Sequence, residues 1–143
     1  MYRGGRGRER GGSRIDAQAF ELFEQGRTLL EQRHAHQAVT VLERARALEP
    51  ERGSIRELLA RAYYAAGRFE QARAQFAEAV DADPTNDYAH FGLALCLLKA
   101  GERDLAVGHL RMALAMRPGV ADYERALARA SAARPRRRTD DLG

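Results

Sequence analysis

Apolar residues recur along the chain at the spacing of amphipathic helices, in segments separated by turn-forming residues. In the segment before Pro50, apolar side chains fall on one helical face up to Leu48, and proline then disfavours helix in the residue before it. The same succession of helix, turn, helix and proline starts again at Gly53 and at Asp87. The pattern therefore predicts three helix pairs and, over 121–133, a seventh helix.

Local signals set the expected helix ends. Asp16 is a candidate N-cap for the first helix, and Ser54 with Glu57 has the S-x-x-E spacing of a capping box for the third. Gly67 and Gly101 are predicted to end the third and fifth helices, because glycine adopts the left-handed conformation that terminates a helix. The first pair is expected over about 16–32 and 36–48, and the third over 87–100 and 104–116.

The helix pairs repeat with a period of 34 residues. Several positions hold the same residue in all three copies, and the large apolar positions keep their character. The turn glycine is the main departure, since Arg33 takes its place in the first copy. The identical sets are Pro50, Pro84 and Pro118; Ala38, Ala72 and Ala106; and Ala45, Ala79 and Ala113.

This period and its residues resemble the tetratricopeptide repeat. The resemblance covers copies at 19–52, 53–86 and 87–120, and it implies an all-α superhelical solenoid of about seven antiparallel helices that binds a protein or peptide in a concave groove. The segment 121–133 lacks a second helix and is expected to cap the last repeat. In the central copy the pattern residues are, in order, Leu59, Ala60, Tyr63, Gly67, Ala72, Phe76, Ala79 and Pro84.

Net positive charge lies outside the repeats. The chain has 143 residues and a net charge of +4, with five Arg against one Glu in 1–14 and four Arg against two Asp in 134–143, while 15–133 is slightly acidic. The Arg/Gly-rich segment 1–14 has almost no apolar side chains and is expected to be disordered, as is the basic tail 134–143. These tails support an alternative in which the protein associates with RNA or another anionic surface.

Catalytic signatures such as a P-loop, H-E-x-x-H or a nucleophile elbow do not occur in the sequence, so a non-catalytic protein without cofactor or metal is expected. Cys96 lies in an apolar run and is expected to be buried and unreactive. The longest uncharged apolar run is too short to span a bilayer, which favours a soluble, cytoplasmic protein. The histidines are expected on the surface, as poor metal ligands: His34, His36, His90 and His109.

The first helix of each pair carries aromatic residues on the face opposite its core stripe. At about 100° per residue, Arg61 and Tyr64 lie opposite Leu59. Apolar residues that face solvent usually mark an interaction site. An alternative places the third-copy residues in the core, under the capping helix or in a dimer. The predicted peptide-binding residues are Phe20, Phe23, Arg27, Arg61, Tyr64, Tyr88, Phe91, Leu95 and Lys99.

The expected ligand is a protein or peptide segment with apolar anchors and acidic character, since the cations lie beside the aromatic residues. The carboxylate clamp by which some members of the resembled family grip chaperone C-termini does not carry over. Phe23 and Arg27 occupy its first Lys and Asn places, and Leu58 or Arg61 its central Asn place. A small chaperone that shields an apolar partner segment is a further alternative, and a homo-oligomer also fits the sequence.

Overall fold

A computed structural model describes residues 2–132, with side chains from residue 14 onward. This part of the chain is helical and contains no strand, which confirms the predicted all-α class. Each helix packs against the next one along the chain. The helices are α1 (Tyr2–Glu31), α2 (Ala35–Leu48), α3 (Gly53–Ala65), α4 (Phe69–Ala82), α5 (Asp87–Lys99), α6 (Arg103–Met116) and α7 (Ala121–Ala132).

The helices form two layers. Helix α3 contacts both α1 and α5, and these three helices make the inner layer, whereas α2, α4 and α6 lie outside and touch only inner-layer helices or α7. A solenoid curves toward the layer whose elements lie closest together, so the inner layer is concave. Helix α7 packs against both α5 and α6, and the Tyr123 hydroxyl donates a 2.5 Å hydrogen bond to Asp87 Oδ2.

Small residues lie where the helices approach most closely. Ala38, Ala72 and Ala106 are fully buried, which explains why this position is identical in the three copies. A Cβ atom on Gly26 would lie 2.5 Å from the Leu42 side chain, so a larger residue there would force the two helices apart. The 34-residue period thus records the contact points of the stacked helices.

The N-terminal helix is longer than the sequence predicts. Helix α1 begins at Tyr2 and therefore includes most of the 1–14 segment for which disorder was expected. Once a packed helix exists, each added residue gains a hydrogen bond without a new nucleus. Asp16 is consequently not an N-cap: it lies inside α1, with its carboxylate 3.5 Å from Arg52 Nη2. The tail 134–143 lies outside the described residues.

The predicted capping box in the central copy is wrong. Helix α3 starts one residue before Ser54, so the Ser54 hydroxyl lies in the first turn, and the N-cap residue Arg52 makes no side-chain capping bond. Glu57 instead accepts a 2.6 Å hydrogen bond from Asn86 Nδ2. Asn86 is itself the N-cap of α5, and its Oδ1 accepts from the Ala89 amide. A contact between repeats has replaced a local one.

The glycines predicted to end α3 and α5 are confirmed. In the first copy, where an arginine replaces the glycine, the backbone of the turn is strained. Gly67 and Gly101 have φ values of +79° and +81° at the ends of α3 and α5. Arg33 occupies the same place in the first copy with φ +66°, the left-handed region that side chains disfavour. The His34 amide still donates to the Leu29 carbonyl at 2.8 Å, so the turn closes despite the unfavourable residue.

One histidine is buried and another is only partly exposed, contrary to the prediction that all four lie on the surface. His90 is 2% exposed, while His34 and His36 are exposed as expected. His90 Nε2 lies 2.8 Å from the Pro84 carbonyl oxygen, and its Nδ1 lies 2.9 Å from Nδ1 of His109. Because a carbonyl only accepts, Nε2 of His90 carries a proton, and in the neutral pair His109 donates its Nδ1–H to His90. The pair joins α5 to α6.

Replacing Arg33 by glycine is expected to stabilise the protein. Arg33→Gly relieves a left-handed backbone that costs about 1–3 kcal/mol for a non-glycine residue, against about 0.5–1 kcal/mol of added chain entropy in the unfolded state. We expect a net gain of about 0.5–1 kcal/mol in the free energy of unfolding, measured by urea denaturation.

Gly67→Ala is the matched control. A Cβ atom there meets nothing within 4 Å, so only the backbone conformation at φ +79° opposes the alanine, and stability should fall. A destabilised Arg33→Gly variant would contradict this account of the turn.

The histidine pair should make stability depend on pH. Burial, and then the neighbouring His90, lower the pKa of His109 below its usual 6.5. Below pH 6.5 the unfolded chain therefore binds more protons at His109 than the folded chain does. The stability that the neutral His109 imidazole contributes is fully present above pH 6.5 and is lost as the pH falls through the folded-state pKa.

Urea denaturation at a series of pH values tests the effect. His109→Gln places at 109 the residue that the central copy holds at the corresponding position, Gln75, and it removes the titrating group. The variant should lose less stability than the wild type as the pH falls from about 7 to 5. An unchanged pH dependence would show that the His109 imidazole does not contribute.

Candidate functional site

An open cleft of about 550 Å³ lies on the concave layer between α1, α3 and α5. A second cleft of about 320 Å³ continues it and shares four of its residues, and we call the two together the inner groove. The first cleft is lined by Arg27, Leu30, Glu31, Leu58, Arg61, Tyr64, Ala65, Phe76, Tyr88, Gly92 and Leu95, and the second adds Phe23, Ser54 and Glu57.

The inner groove contains six of the nine residues that the sequence singled out. They come from three separate helices at intervals of about one repeat, and stacking of α1, α3 and α5 places them on one surface. The groove residues among the predicted set are Phe23, Arg27, Arg61, Tyr64, Tyr88 and Leu95, whereas Phe20, Phe91 and Lys99 do not line it.

The third-copy aromatic residues divide between the groove and the capping helix. The ring centroid of Phe91 lies 4.8 Å from that of Tyr123 in α7, so Phe91 packs beneath the capping helix as the alternative prediction proposed. Tyr88 lies one turn earlier, lines both clefts, and contacts the Phe76 ring edge-on at 6.1 Å. The two side chains therefore have different surroundings although they share a helix.

Phe20 and Lys99 do not line the groove. Phe20 is 61% exposed and lines a further cleft of about 390 Å³ between α1 and the start of α3, which shares Phe23 and Ser54 with the groove. Lys99, at the end of α5, places its Nζ 5.2 Å from the centroid of the Phe69 ring. These residues extend the polar and apolar character of the concave side without joining the groove.

The structure adds one feature that the sequence analysis missed, a glycine in the wall of the groove. A Cβ atom on Gly92 would lie 2.3 Å from the Phe76 ring, so only glycine lets this ring reach the backbone of α5. The corresponding residue of the central copy is Leu58. Comparing the residues that the repeat copies hold at this position could have identified this glycine.

The charged side chains that line the groove are two arginines and two glutamates: Arg27, Arg61, Glu31 and Glu57. Arg27 pairs with Glu24 one turn before it, at 2.6 Å. Arg61 is exposed and forms no ion pair with any side chain that the structure describes. Burial raises the pKa of Tyr88, whereas the Arg61 charge lowers it and the Glu57 charge raises it. Arg61 is therefore available to an anionic group in the groove.

The side chains of the groove are suited to binding a ligand by apolar contacts, hydrogen bonds and charge. It offers aromatic and aliphatic surface, two tyrosine hydroxyls, two carboxylates and the Arg61 guanidinium, which forms no ion pair with a described side chain. Within 14–132, no cluster of three or more His, Cys, Asp or Glu residues is suited to hold a metal ion. Cys96 is buried, and burial raises the pKa of its thiol to about 11. None of the described helices is long and apolar enough to cross a membrane.

Comparison with known proteins gives matches along the repeats. A family model described as "Tetratricopeptide repeat" matches residues 23–87 and 57–121. The TPR repeat-containing thioredoxin TTL4 of Arabidopsis thaliana is 34% identical over 90 residues, which is 63% of this chain. The chain spans only 13% of that relative's length.

Solved structures resemble the whole solenoid. The Arabidopsis OM64 TPR domain superposes with a TM-score of 0.78 at 19% identity, over 82% of this chain and 98% of that domain. The first TPR of Spaghetti (RPAP3), bound to the HSP90 peptide SRMEEVD, gives a TM-score of 0.76 at 18% identity, over 82% and 93% of the two chains. At these identities the likeness is one of fold.

Proposed function

The chain belongs to the tetratricopeptide repeat family, and we propose that it is a non-catalytic module that binds a segment of a partner protein in the inner groove. The observation that carries the proposal is the groove itself. Its aromatic and aliphatic side chains project from three helices onto one open concave surface. Sites for peptides are commonly concave and apolar with a few polar groups.

The groove has enough apolar surface for useful affinity. Tyr64, Tyr88 and Leu95 are only partly buried, so a ligand can cover the rest of their surface. Fully burying one large apolar side chain contributes about 1.5–3 kcal/mol. Two or three such contacts, after association costs are offset, support an affinity in the micromolar range, about −8 kcal/mol.

The proposed ligand combines apolar anchors with acidic character. Arg61 lines both clefts of the groove, as Tyr88 does, and offers its charge to a carboxylate. The domain of Spaghetti, which shares this fold, is bound to a peptide that contains two glutamates and an aspartate. Phe23 and Arg27 stand at the first Lys and Asn places of the carboxylate clamp, and Leu58 or Arg61 stands at its central Asn place, so we propose a ligand other than a chaperone tail.

In this proposal the protein is an adaptor or scaffold, with the cytoplasmic location expected from its sequence. The small-chaperone alternative uses the same groove and differs only in what happens to the bound segment. The RNA alternative depends on 1–14 and 134–143, whose side chains, apart from that of Arg14, lie outside the described residues. It is an outcome of the test below.

The test is selection of peptides by the full chain from a random displayed library, followed by anisotropy titration of the selected peptides. We expect enrichment of sequences with apolar residues next to an acidic one. Tyr88→Ser and Arg61→Ala should each weaken binding at least tenfold, about 1.4 kcal/mol, because they remove an apolar contact and the charge that pairs with the ligand. The Arg61 effect should shrink at high salt.

Two variants serve as controls. Arg44→Ala removes an exposed arginine from the outer helix α2 and should leave peptide affinity unchanged. Phe91→Ala should mainly lower stability, since Phe91 packs on Tyr123 beneath α7. Selected peptides that bind the Tyr88 and Arg61 variants as tightly as the wild type would place the site elsewhere. Salt-sensitive binding of RNA, with no peptide selected, would favour the RNA alternative.

A further inference from the structure

An exposed apolar stripe runs along the outer face of α6. Leu105, Met112 and Met116 are 56%, 47% and 39% exposed, and their spacing of seven and four residues places them on one side of the helix. This side points away from the buried residues Ala106 and Leu110, so the stripe does not belong to the core.

The other outer helices do not carry this stripe. At the places of Leu105 and Met112, helix α4 has Gln71 and Glu78, and α2 likewise has a glutamine and an arginine. The repeat fold therefore does not require apolar residues there. Three long apolar side chains that face solvent on one helix are typical of a surface that another helix covers.

Charges beside the stripe are arranged to complement a second copy of it. Asp104 and Arg111 are exposed, lie seven residues apart on the same flank of the stripe, and form no ion pair with any described side chain. In an antiparallel pair of α6 helices, Asp104 of each copy lies beside Arg111 of the other. A two-fold interface must be complementary to itself, and opposite charges at equal distances from its centre meet that requirement.

Gly108 lies at the centre of this arrangement. It falls between Leu105 and Met112, and a Cβ atom there would meet nothing within 4 Å in the monomer. The absence of a side chain lets two helix backbones approach closely. A two-fold axis near Gly108 places Leu105 of one copy against Met112 of the other and brings the two charge pairs into contact at the same time.

We propose that the outer face of α6 is the interface of a weak homodimer, formed by antiparallel pairing of α6 with α6 of a second copy. A single helix with three apolar residues offers less area than a permanent dimer needs, so the association is reversible. The inner groove lies on the opposite layer and stays open in both copies. The dimer therefore presents two grooves and binds a partner with two segments more tightly than one segment alone.

Sedimentation velocity of the full chain over a range of concentrations tests the proposal. The wild type should shift from monomer to dimer between about 5 and 500 μM, as mass action requires. Leu105→Gln with Met112→Glu installs the residues of α4 at the corresponding places and should give a folded monomer throughout. A wild type that stays monomeric, or a double variant that still dimerises, overturns the proposal.

A charge exchange distinguishes self-pairing from any other occupant of the stripe. Asp104→Arg alone should weaken dimerisation because two arginines then face each other. Adding Arg111→Asp restores opposite charges across the two-fold axis and should restore the dimer. Failure of the exchange to restore it overturns the antiparallel geometry.

A cysteine at the axis gives an independent readout. Gly108→Cys should form a disulfide-linked dimer under mild oxidation, whereas Ala74→Cys, at the corresponding place of α4, should not. The native Cys96 is buried and does not compete. Equal cross-linking of the two variants overturns the proposal.

Discussion

The close approach of neighbouring helices at small residues is the contact on which the rest of the structure depends. Ala38, Ala72 and Ala106 are fully buried at equivalent points, and Gly26 leaves no room for a Cβ atom against Leu42. Because interiors are packed to nearly crystalline density, these points fix the spacing and rotation of each helix pair. Repeating them at a constant interval makes a curved stack with a concave face.

The stacked helices fix the positions of the inner-layer side chains but leave part of the surface of these side chains exposed. Each inner helix buries one stripe against its partner, and the residues on its other side remain for a ligand. Arg61 and Tyr88 belong to neighbouring repeats and lie beside each other only because α3 and α5 pack together. The groove is therefore bounded by the core on one side and open to solvent on the other, which suits recognition of an extended partner segment.

Polar contacts between elements decide details that local preference leaves open. In the central copy Arg56 donates to the Pro50 carbonyl at 3.2 Å, and in the third copy His90 bonds to the Pro84 carbonyl in the same way. Glu57 likewise bonds to Asn86, because a buried or bridging polar group gains more from a fixed partner than from solvent. Such contacts connect the turn of one repeat to a helix.

The sequence by itself determined the architecture, because its 34-residue period records helix contacts that recur in every copy, and it identified the turns through Gly67 and Gly101. Six of the nine residues that it singled out line the groove, since helical periodicity assigns each residue to a face. Only the tertiary structure decided which neighbour covers that face. Phe91 packs beneath α7 while Tyr88 lines the groove, and His90 is buried against its partner on α6. Periodicity within one helix contains no information on these contacts, because they depend on where the next helix lies.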